Sequence, residues 1–235
     1  MKRLSIIIPC YNESKNLPLL ISRCKEVVNK GNNIEIIVVD NGSNDDTSKV
    51  LDELTSNLTF ITRVRIEMNQ GYGHGILEGL AAATGEILSW THADMQTDLG
   101  DALKGLDLFN GESNSEELFV KGRRQGRPLT DVFFTVCMSI FETLLLRKFM
   151  WDINAQPTMF NRKFFLTWNN PPKDFSLDLY AYYMAKKSRL KVERFPVVFA
   201  ERAHGVSNWN VSFISKYHFI KRTLLYSFSL QKRMR

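Results

Sequence analysis

The stretch SIIIPCYNE at residues 5–13 is a run of isoleucines that changes at once into polar residues. A continuous β-branched run is typical of a strand buried on both faces of a parallel sheet. The stretch IEIIVVDNGS at residues 34–43 repeats this pattern, because its apolar run also ends in polar residues. The two stretches therefore predict neighbouring parallel strands whose carboxyl ends carry the chemistry.

Strands and helices alternate along the first half of the chain. Helices are expected at about 14–30, after Asp46-Thr47 and at about 73–83, and further strands near 60–66, 87–90 and 118–121. Beyond Arg127 the pattern becomes helical, with one late extended run at 192–199. We therefore predict an α/β fold with a doubly wound, mostly parallel sheet and C-terminal helices. Its expected limits are residues 1–209, followed by a basic amphipathic helix at 210–235.

The composition excludes several classes of protein. Of the 235 residues, 44% are hydrophobic and 24% are charged, which excludes disordered, collagen-like and coiled-coil chains. The net charge of +6 is concentrated at the C-terminus. The last twenty residues contain no acid and the following basic residues: Lys216, Lys221, Arg222, Lys232, Arg233 and Arg235. Because the rest of the chain is nearly neutral, nucleic acid is not an expected partner.

The cysteines and the apolar runs indicate the cellular compartment of the protein. Cys10, Cys24 and Cys137 form no CxxC pair, and an odd number fits poorly with a disulfide framework. Pro9 breaks the first apolar run, and no small-residue cleavage site follows, which disfavours a signal peptide. The sequence has no run of about 18 uncharged apolar residues, so it predicts no membrane-spanning helix. We expect a cytoplasmic protein.

Polar side chains follow the predicted strand at 87–90. Asp94 and Gln96 alternate along the chain, and His92 comes two residues before Asp94. Carboxylate and amide oxygens suit Mg²⁺ or Mn²⁺. Zinc is disfavoured because no Cys or second His lies nearby in the sequence. We predict a divalent metal site at Asp94 and Gln96, with His92 either as a third ligand or as a hydrogen-bonded structural residue.

The glycine-rich segment GYGHG at residues 71–75 matches a dinucleotide-binding loop only in part. A Rossmann fingerprint has its third glycine at the sixth position and follows the first strand of its unit. Here the sixth position is Ile76, and the segment follows the third predicted strand. This disfavours an NAD-dependent oxidoreductase. The glycines predict instead a tight loop that lets a helix begin close to a ligand.

In order and spacing, several of these segments resemble glycosyltransferase family 2, and within it the dolichol-phosphate mannosyltransferase-like enzymes. The resemblance covers residues 4–127 and, more loosely, 128–209. It rests on residues 5–13, 38–43, 69–71 and 92–96 and on Gly75, Gly79, Ala83 and Gly85. It implies a type-A glycosyltransferase fold and an inverting transfer of a sugar from a nucleoside diphosphate.

The resemblance also implies roles for individual residues. It places the metal that bridges the diphosphate on Asp94 and Gln96, the nucleoside on the first two strands, and a late arginine on phosphate. The implied substrate-binding residues are Pro9, Tyr11, Glu13, Val38, Asp40, Gly75, Ala93, Arg124, Arg202 and Ser207. A cation and arginines that face the diphosphate would stabilise the charge that grows in the transition state.

The acceptor side departs from the family pattern. Where polyprenyl-phosphate enzymes have a serine–glycine–aromatic–arginine run, this chain has AQPT at residues 155–158, and Asn208 replaces an expected lysine. We therefore predict a lipid-linked or glycan hydroxyl as the acceptor, with polyprenyl phosphate as the alternative. A hydroxyl requires a base, and Asp152 and Asp178 are the candidates. Each is equally compatible with a helix-start or surface position.

Two segments are candidates for contact with a membrane surface. Residues 131–150 place apolar side chains mostly along one helical face, which fits either core packing or a membrane. Residues 217–235 combine apolar and basic side chains, which fits an anionic surface, a docked helix or an oligomer contact. The expected function is a cytoplasmic, peripheral, metal-dependent glycosyltransferase of cell-envelope polysaccharide or glycolipid synthesis. The alternative of another class is a non-catalytic nucleotide-binding homologue, because His92 stands where the family usually has an acid.

Overall fold

The computed structural model describes residues 3–31, 33–200, 202 and 213–234, with the side chains of the last helix described over residues 220–233. The strands are β1 (Leu4–Cys10), β2 (Ile34–Asn41), β3 (Ile61–Ile66), β4 (Ile87–Trp90), β5 (Leu118–Gln125), β6 (Thr158–Asn161) and β7 (Lys191–Val198). The helices are α1 (Leu17–Lys30), α2 (Thr47–Thr55), α3 (Tyr72–Ala82), α4 (Asp101–Gly111), α5 (Leu129–Leu146), α6 (Arg162–Leu166), α7 (Leu177–Lys187) and α8 (Phe213–Met234).

The strands form one mixed sheet in the order β3-β2-β1-β4-β6-β5-β7. Within it, β1 pairs in parallel with β2 and β4, β2 with β3, and β5 with β7. β6 runs antiparallel to both of its neighbours, β4 and β5. All the strands except β6 therefore end at one side of the sheet, which we call the carboxyl edge. The prediction of a doubly wound, mostly parallel α/β sheet is confirmed.

Burial on both faces explains the β-branched runs of β1 and β2. Ile6 and Ile8 point into the core beneath α1, α2 and α4, whereas Ile7 and Val39 point to the opposite face, beneath α3 and α7. α3 approaches the sheet so closely that a Cβ at Gly79 would lie 2.4 Å from a methyl group of Ile7. Two close-packed layers therefore hold the central strands, and the ends of these strands are fixed in space.

The sequence analysis did not predict β6 or α4. β6 has only four residues and no β-branched run, so its own sequence does not predict a strand. Pairing with β4 and β5 holds it in the sheet. The other expected strands are present. β5 continues to Gln125, four residues beyond the predicted end, because it pairs along its whole length with β7.

α5 and α8 lie side by side and share a polar contact. Phe141 of α5 packs edge-to-face against Phe228 of α8, with 6.0 Å between ring centroids. The Ser227 hydroxyl of α8 donates a hydrogen bond to Glu142 Oε1 of α5 at 2.5 Å. Burial raises the pKa of Glu142 to about 7, although the hydrogen bond from Ser227 opposes this shift. The inner side of α5 is therefore polar at its centre.

The outer side of α5 is apolar. Within α5, only Ser139, Glu142 and Leu146 are buried, and they lie on the inner side. The exposed apolar side chains of α5, of the turn that follows it and of α8 form what we call the α5–α8 surface: Leu129, Phe133, Phe134, Ile140, Leu144, Phe149, Ile220, Leu225 and Phe228. The core-packing interpretation of residues 131–150 is therefore wrong for this face.

By length and composition, α5 is also the one helix in the described part of the chain that could cross a membrane. Its sequence contains no uncharged apolar run of about 18 residues, because Asp131 and Glu142 interrupt it.

Candidate functional site

The carboxyl edge brings together loops that are far apart in the sequence. The Asn12 backbone N–H donates to Ser43 Oγ at 3.0 Å, and the Asn44 backbone N–H donates to Asn12 Oδ1 at 3.0 Å. Further along the edge, the Ala200 backbone N–H donates to the Gln96 carbonyl oxygen at 2.8 Å. The residues after β1, β2, β4 and β7 thus line one edge of the sheet, where open α/β folds bind ligands.

Arg202 contacts both predicted metal ligands. Its Nη2 lies 2.9 Å from Asp94 Oδ2, and its Nε donates to Gln96 Oε1 at 3.2 Å. Nε and Nη2 belong to one planar guanidinium group, so the two oxygens must approach the same small region. The carboxylate and the amide oxygen that were expected to share a cation therefore converge, and in this structure the cation between them is Arg202.

This donor set fits Mg²⁺ or Mn²⁺ better than a metal that requires an all-protein cage. Among the described residues, no group of three or more His, Cys, Asp or Glu side chains is arranged to hold a metal ion. Mg²⁺ is usually held by one or two carboxylates together with water and substrate phosphates. Asp94 and Gln96 match that requirement. The ring of His92 packs against the ring of Tyr72, with 5.8 Å between centroids, and its role as a ligand stays a prediction.

Glu13, in the loop that follows β1, belongs to the same site. Burial raises the pKa of its carboxyl group above the ordinary value, a hydrogen bond from Asn16 opposes this, and the charge of Asp94 raises the pKa further. Arg202 lowers it. The charges of Asp94 and Arg202 therefore both act on Glu13.

The remaining residues predicted to bind the nucleoside lie along β1 and β2. Asp40 is buried near the end of β2, and its Oδ1 accepts a hydrogen bond from the Ser43 backbone N–H at 3.0 Å. Tyr11 is exposed directly after β1, and Pro9 is half-buried within that strand. Tyr11 therefore offers an accessible ring beside the loop that Asp40 braces.

Three other predicted contacts differ in what they offer a ligand. The side chains of Val38 and Ala93 are buried in the core cluster that also contains residues of α1. Ser207 lies outside the described residues. Roles for these positions stay predictions.

The glycine-rich segment begins α3, but it packs against the chain itself. Gly71 has a φ of +112°, and a Cβ there would lie 2.6 Å from the Lys173 carbonyl oxygen. The same oxygen accepts a hydrogen bond from the His74 backbone N–H at 2.8 Å. A Cβ at Gly75 would lie 3.1 Å from the side chain of Asn41. The loop that contains Lys173 therefore accounts for the glycines at Gly71 and Gly73, and a role for Gly75 in binding a ligand stays a prediction.

Asp152 holds Arg124 at the end of β5. Arg124 donates to Asp152 Oδ1 through Nε at 2.8 Å and Nη2 at 2.5 Å, and its backbone N–H donates to Oδ2 at 3.0 Å. Burial disfavours the ionised form of Asp152, but the interactions with Arg124 outweigh it and lower the pKa. A carboxylate with both oxygens engaged and a lowered pKa is a poor proton acceptor. This geometry favours Asp152 as the group that orients Arg124.

Asp178 lies in a buried polar cluster beneath the β4 end. Its Oδ1 accepts hydrogen bonds from Trp90 Nε1 at 3.2 Å and from Gln156 Nε2 at 2.9 Å. Gln156 Nε2 also donates to the Tyr72 hydroxyl at 3.2 Å, and the ring of Tyr72 contacts His92. Of the two predicted base candidates, Asp178 is thus the one that is held by neutral donors next to the segment containing Asp94.

Lys121, which sequence reasoning missed, belongs to this cluster. Its ammonium group donates to Thr158 Oγ1 at 2.6 Å and lies 3.9 Å from Asp178 Oδ1. The first five residues of β5, LFVKG, are all buried. A lysine inside a predicted buried strand was the available signal, because a charged side chain is buried only with a partner.

Comparison with known proteins gives a family match over half of the chain. The family model for glycosyl transferase family 2 matches residues 5–126. Curated relatives include an undecaprenyl-phosphate 4-deoxy-4-formamido-L-arabinose transferase from Pectobacterium atrosepticum, 38% identical over 98 residues, and one of the same description from Klebsiella pneumoniae, 32% identical over 98 residues. Each match covers 41% of this chain and 30% of the relative, so the similarity spans less than a third of those proteins.

Solved structures share the fold over nearly the whole chain. A mannosyltransferase from Pyrobaculum calidifontis, in complex with GDP-Man and Mn²⁺, has a TM-score of 0.71 and 19% identity, covering 98% of this chain and 64% of that one. A glucosyl-3-phosphoglycerate synthase from Mycobacterium tuberculosis, with Mn²⁺, UDP and phosphoglyceric acid, has a TM-score of 0.70 and 15% identity, covering 98% and 78%. The expectation of a type-A glycosyltransferase fold is confirmed.

Proposed function

The chain belongs to glycosyl transferase family 2, and we propose that it transfers a sugar, with inversion, from a nucleoside-diphosphate donor to a lipid-linked or glycan hydroxyl. The convergence of Asp94, Gln96 and Arg202 at the carboxyl edge carries this proposal. The titles of the two structural neighbours name a nucleotide or nucleotide sugar bound together with Mn²⁺, which supports the donor class.

On the donor side, the site has to stabilise a leaving diphosphate. As the bond from the anomeric carbon to the diphosphate breaks, negative charge grows on the diphosphate oxygens, and positive groups fixed beside them lower the barrier. Asp94 and Gln96, with His92 as a further ligand, would hold Mg²⁺ or Mn²⁺, which supplies such a charge when bound. Arg202 and Arg124 would bind the phosphates from the β7 and β5 ends of the same edge.

On the acceptor side, we assign the base to Asp178. The acceptor oxygen forms a bond to the anomeric carbon, the bond to the diphosphate breaks, and the hydroxyl proton passes to the Asp178 carboxylate. Trp90 and Gln156 fix the orientation of that carboxylate. Asp152 is less suited to the role because Arg124 engages both of its oxygens.

A second candidate acceptor is a bare polyprenyl phosphate. The curated relatives are named for undecaprenyl phosphate, and this observation favours it. A phosphate oxygen is already ionised, so it attacks without a base. Under this alternative Asp178 is dispensable for turnover, and the two acceptor classes are therefore separable by experiment.

We further infer that the α5–α8 surface binds the cytoplasmic face of an anionic membrane. Its apolar side chains are exposed on adjacent helices, and exposed basic residues lie among and beyond them: Arg147, Lys148, Lys221, Lys232 and Arg233. Each basic residue near an anionic surface contributes about 1 kcal/mol, and apolar side chains that enter the interface add to this. A lipid-linked acceptor would then meet the enzyme at that surface.

Replacing Leu144 by aspartate is expected to weaken binding to anionic vesicles at least tenfold. Leu144 is 75% exposed on α5, so its loss leaves the fold intact but removes about 1.5–3 kcal/mol of apolar burial at the interface. Co-sedimentation with vesicles that contain phosphatidylglycerol measures the change. The matched control is Leu166→Asp, since Leu166 is 71% exposed on α6, outside the α5–α8 surface. Equal losses in both variants would contradict membrane contact through α5.

The donor site is tested by calorimetric titration of UDP and GDP, each with Mn²⁺ and with EDTA. One nucleotide is expected to bind, about tenfold or more tightly with Mn²⁺ than with EDTA, because the ion offsets the diphosphate charge beside Asp94. No binding of either nucleotide to the folded protein would overturn the proposal. Binding without turnover of the matching nucleotide sugars would favour the non-catalytic homologue.

A further inference from the structure

Lys121 is a buried charged residue that the proposed function does not yet use. Its side chain is 0% exposed in the middle of the sheet. A buried ammonium group is tolerated where a carboxylate or strong hydrogen bonds compensate for the loss of water. Thr158 accepts its hydrogen bond at 2.6 Å, and Asp178 is the carboxylate within ion-pair distance among the described residues.

Asp178 in turn requires a positive neighbour. Its hydrogen-bond donors, Trp90 and Gln156, are neutral, so neither of them offsets the negative charge of a buried carboxylate. A protonated carboxyl group cannot accept the proton of an acceptor hydroxyl. Asp152 shows the same principle nearby, because Arg124 keeps the pKa of that buried carboxyl group low. Lys121 is the cation beside Asp178, at the longer distance of 3.9 Å.

We propose that Lys121 is a positioning residue that keeps Asp178 ionised and oriented as the base of sugar transfer. The inference rests on the proposed function, in which Asp178 takes the proton of the acceptor. Because Lys121 is fully buried, it acts through Asp178 and does not touch the substrate.

The charges around Lys121 make its effect on Asp178 depend on pH. Burial lowers the pKa of Lys121 to about 7, the charge of Asp178 opposes this, and Arg194, its pairing partner on β7, adds to it. Asp152 raises the pKa and Arg124 lowers it. With a folded pKa below the ordinary value, the ammonium charge is present below about pH 7 and is lost as the pH rises further. The effect on Asp178 is therefore largest below pH 7.

Infrared spectroscopy tests the coupling without any substrate. In Lys121→Gln, which keeps a hydrogen-bonding group, and in Lys121→Met, which does not, we expect an additional protonated carboxyl group at pH 6. It should appear as a positive carboxyl band in the variant-minus-wild-type difference spectrum, in which the contribution of Glu142 cancels, and it should disappear in the double variant Lys121→Gln/Asp178→Asn. A Lys121→Gln difference spectrum at pH 6 without this band overturns the proposal.

If neither neutral variant folds, the coupling is measured from the other partner. Asp178→Asn should lower the pH at which the Lys121 ammonium group titrates, followed by NMR of the labelled lysine, because the carboxylate that favours the charged form is gone. An unchanged midpoint overturns the proposal.

Kinetics tests the consequence for turnover. Hydrolysis of UDP-glucose or GDP-mannose, according to which nucleotide binds, is measured with water in place of the acceptor. Lys121→Gln is expected to lower kcat roughly tenfold or more at pH 6, to leave KM unchanged and to approach the wild type at pH 8. The double variant with Asp178→Asn should be no slower than Asp178→Asn. Losses that multiply, or a change confined to KM, would show that Lys121 acts independently of Asp178.

The control is Lys104→Gln, which removes a lysine that is ion-paired with Asp101 at 2.7 Å on the exposed side of α4. It should leave kcat and the pH profile unchanged. Failure of this proposal and failure of the proposed function give different results. If Asp178→Asn loses turnover and Lys121→Gln shows no carboxyl band beyond those of the wild type, the base assignment stands and the role of Lys121 falls. If Asp178→Asn retains full turnover, both fall.

Discussion

Sugar transfer by Asp94→Asn is expected to be about 10³-fold slower than transfer by the wild type. The site then lacks its one carboxylate ligand, and the remaining amide oxygen of Gln96 binds a divalent ion weakly. A bound cation contributes several kcal/mol to stabilising the leaving diphosphate, and each 1.4 kcal/mol or so corresponds to a factor of ten. The Mn²⁺-dependent part of nucleotide binding should be lost together with turnover, as measured by calorimetry and by release of the nucleoside diphosphate.

The matched control for this substitution is Asp98→Asn. Asp98 is exposed in the same loop and accepts a hydrogen bond from the Gly100 backbone N–H at 2.9 Å, which an asparagine oxygen can also accept. Its replacement removes the same charge without touching Arg202 or Gln96, so binding and turnover should stay at wild-type levels. An Asp94→Asn protein that still binds nucleotide more tightly with Mn²⁺ would place the metal elsewhere.

The edge of the sheet could be predicted from the sequence because its signals are local. The β-branched runs of β1 and β2 are long enough to define strands, and parallel strands place their carboxyl ends together. The prediction of Asp94, Gln96 and Arg202 at one edge needed only that rule and the family resemblance. Their contact in the structure joins residues that lie about a hundred positions apart.

What the sequence could not provide depends on packing between distant segments. β6 has no pattern of its own, so the neighbours that enclose Lys121 and Asp178 could not be identified. The glycines at 71–75 predict that another group approaches the backbone closely, but they do not predict which group. At Gly71 that group is the backbone of Lys173. For α5, burial of Glu142 reverses the usual rule that the apolar side of a helix faces the core.

The pairing of Arg124 with Asp152 is a further case. Both residues were assigned to the site from their positions, but as a phosphate ligand and a base. Arg124 donates to one oxygen of Asp152 through its guanidinium group and to the other through its backbone N–H, so Asp152 orients Arg124. This leaves Asp178 as the carboxylate with neutral hydrogen-bond donors. A buried carboxylate beside a buried lysine is costly for stability, which favours a functional reason for its presence.

Asp178→Asn is expected to lower kcat between about 10² and 10⁴-fold, the range for loss of a positioned general base. Asparagine has the same shape and can accept the hydrogen bonds from Trp90 and Gln156 through its amide oxygen, but it cannot take a proton. Nucleotide affinity and the donor KM should stay unchanged, because neither depends on the base. Asp107→Asn, an exposed aspartate on α4, is the matched control and should be fully active.

The chemical class of the acceptor decides how unchanged turnover in Asp178→Asn is interpreted. The substitution also leaves the Lys121 ammonium group without its carboxylate, which costs up to about 3–5 kcal/mol of stability, so turnover has to be measured below the melting temperature of each variant. Under that condition, a folded Asp178→Asn protein that glycosylates undecaprenyl phosphate at the wild-type rate contradicts the base assignment. It would identify an ionised phosphate as the nucleophile, since only such an acceptor attacks without giving up a proton.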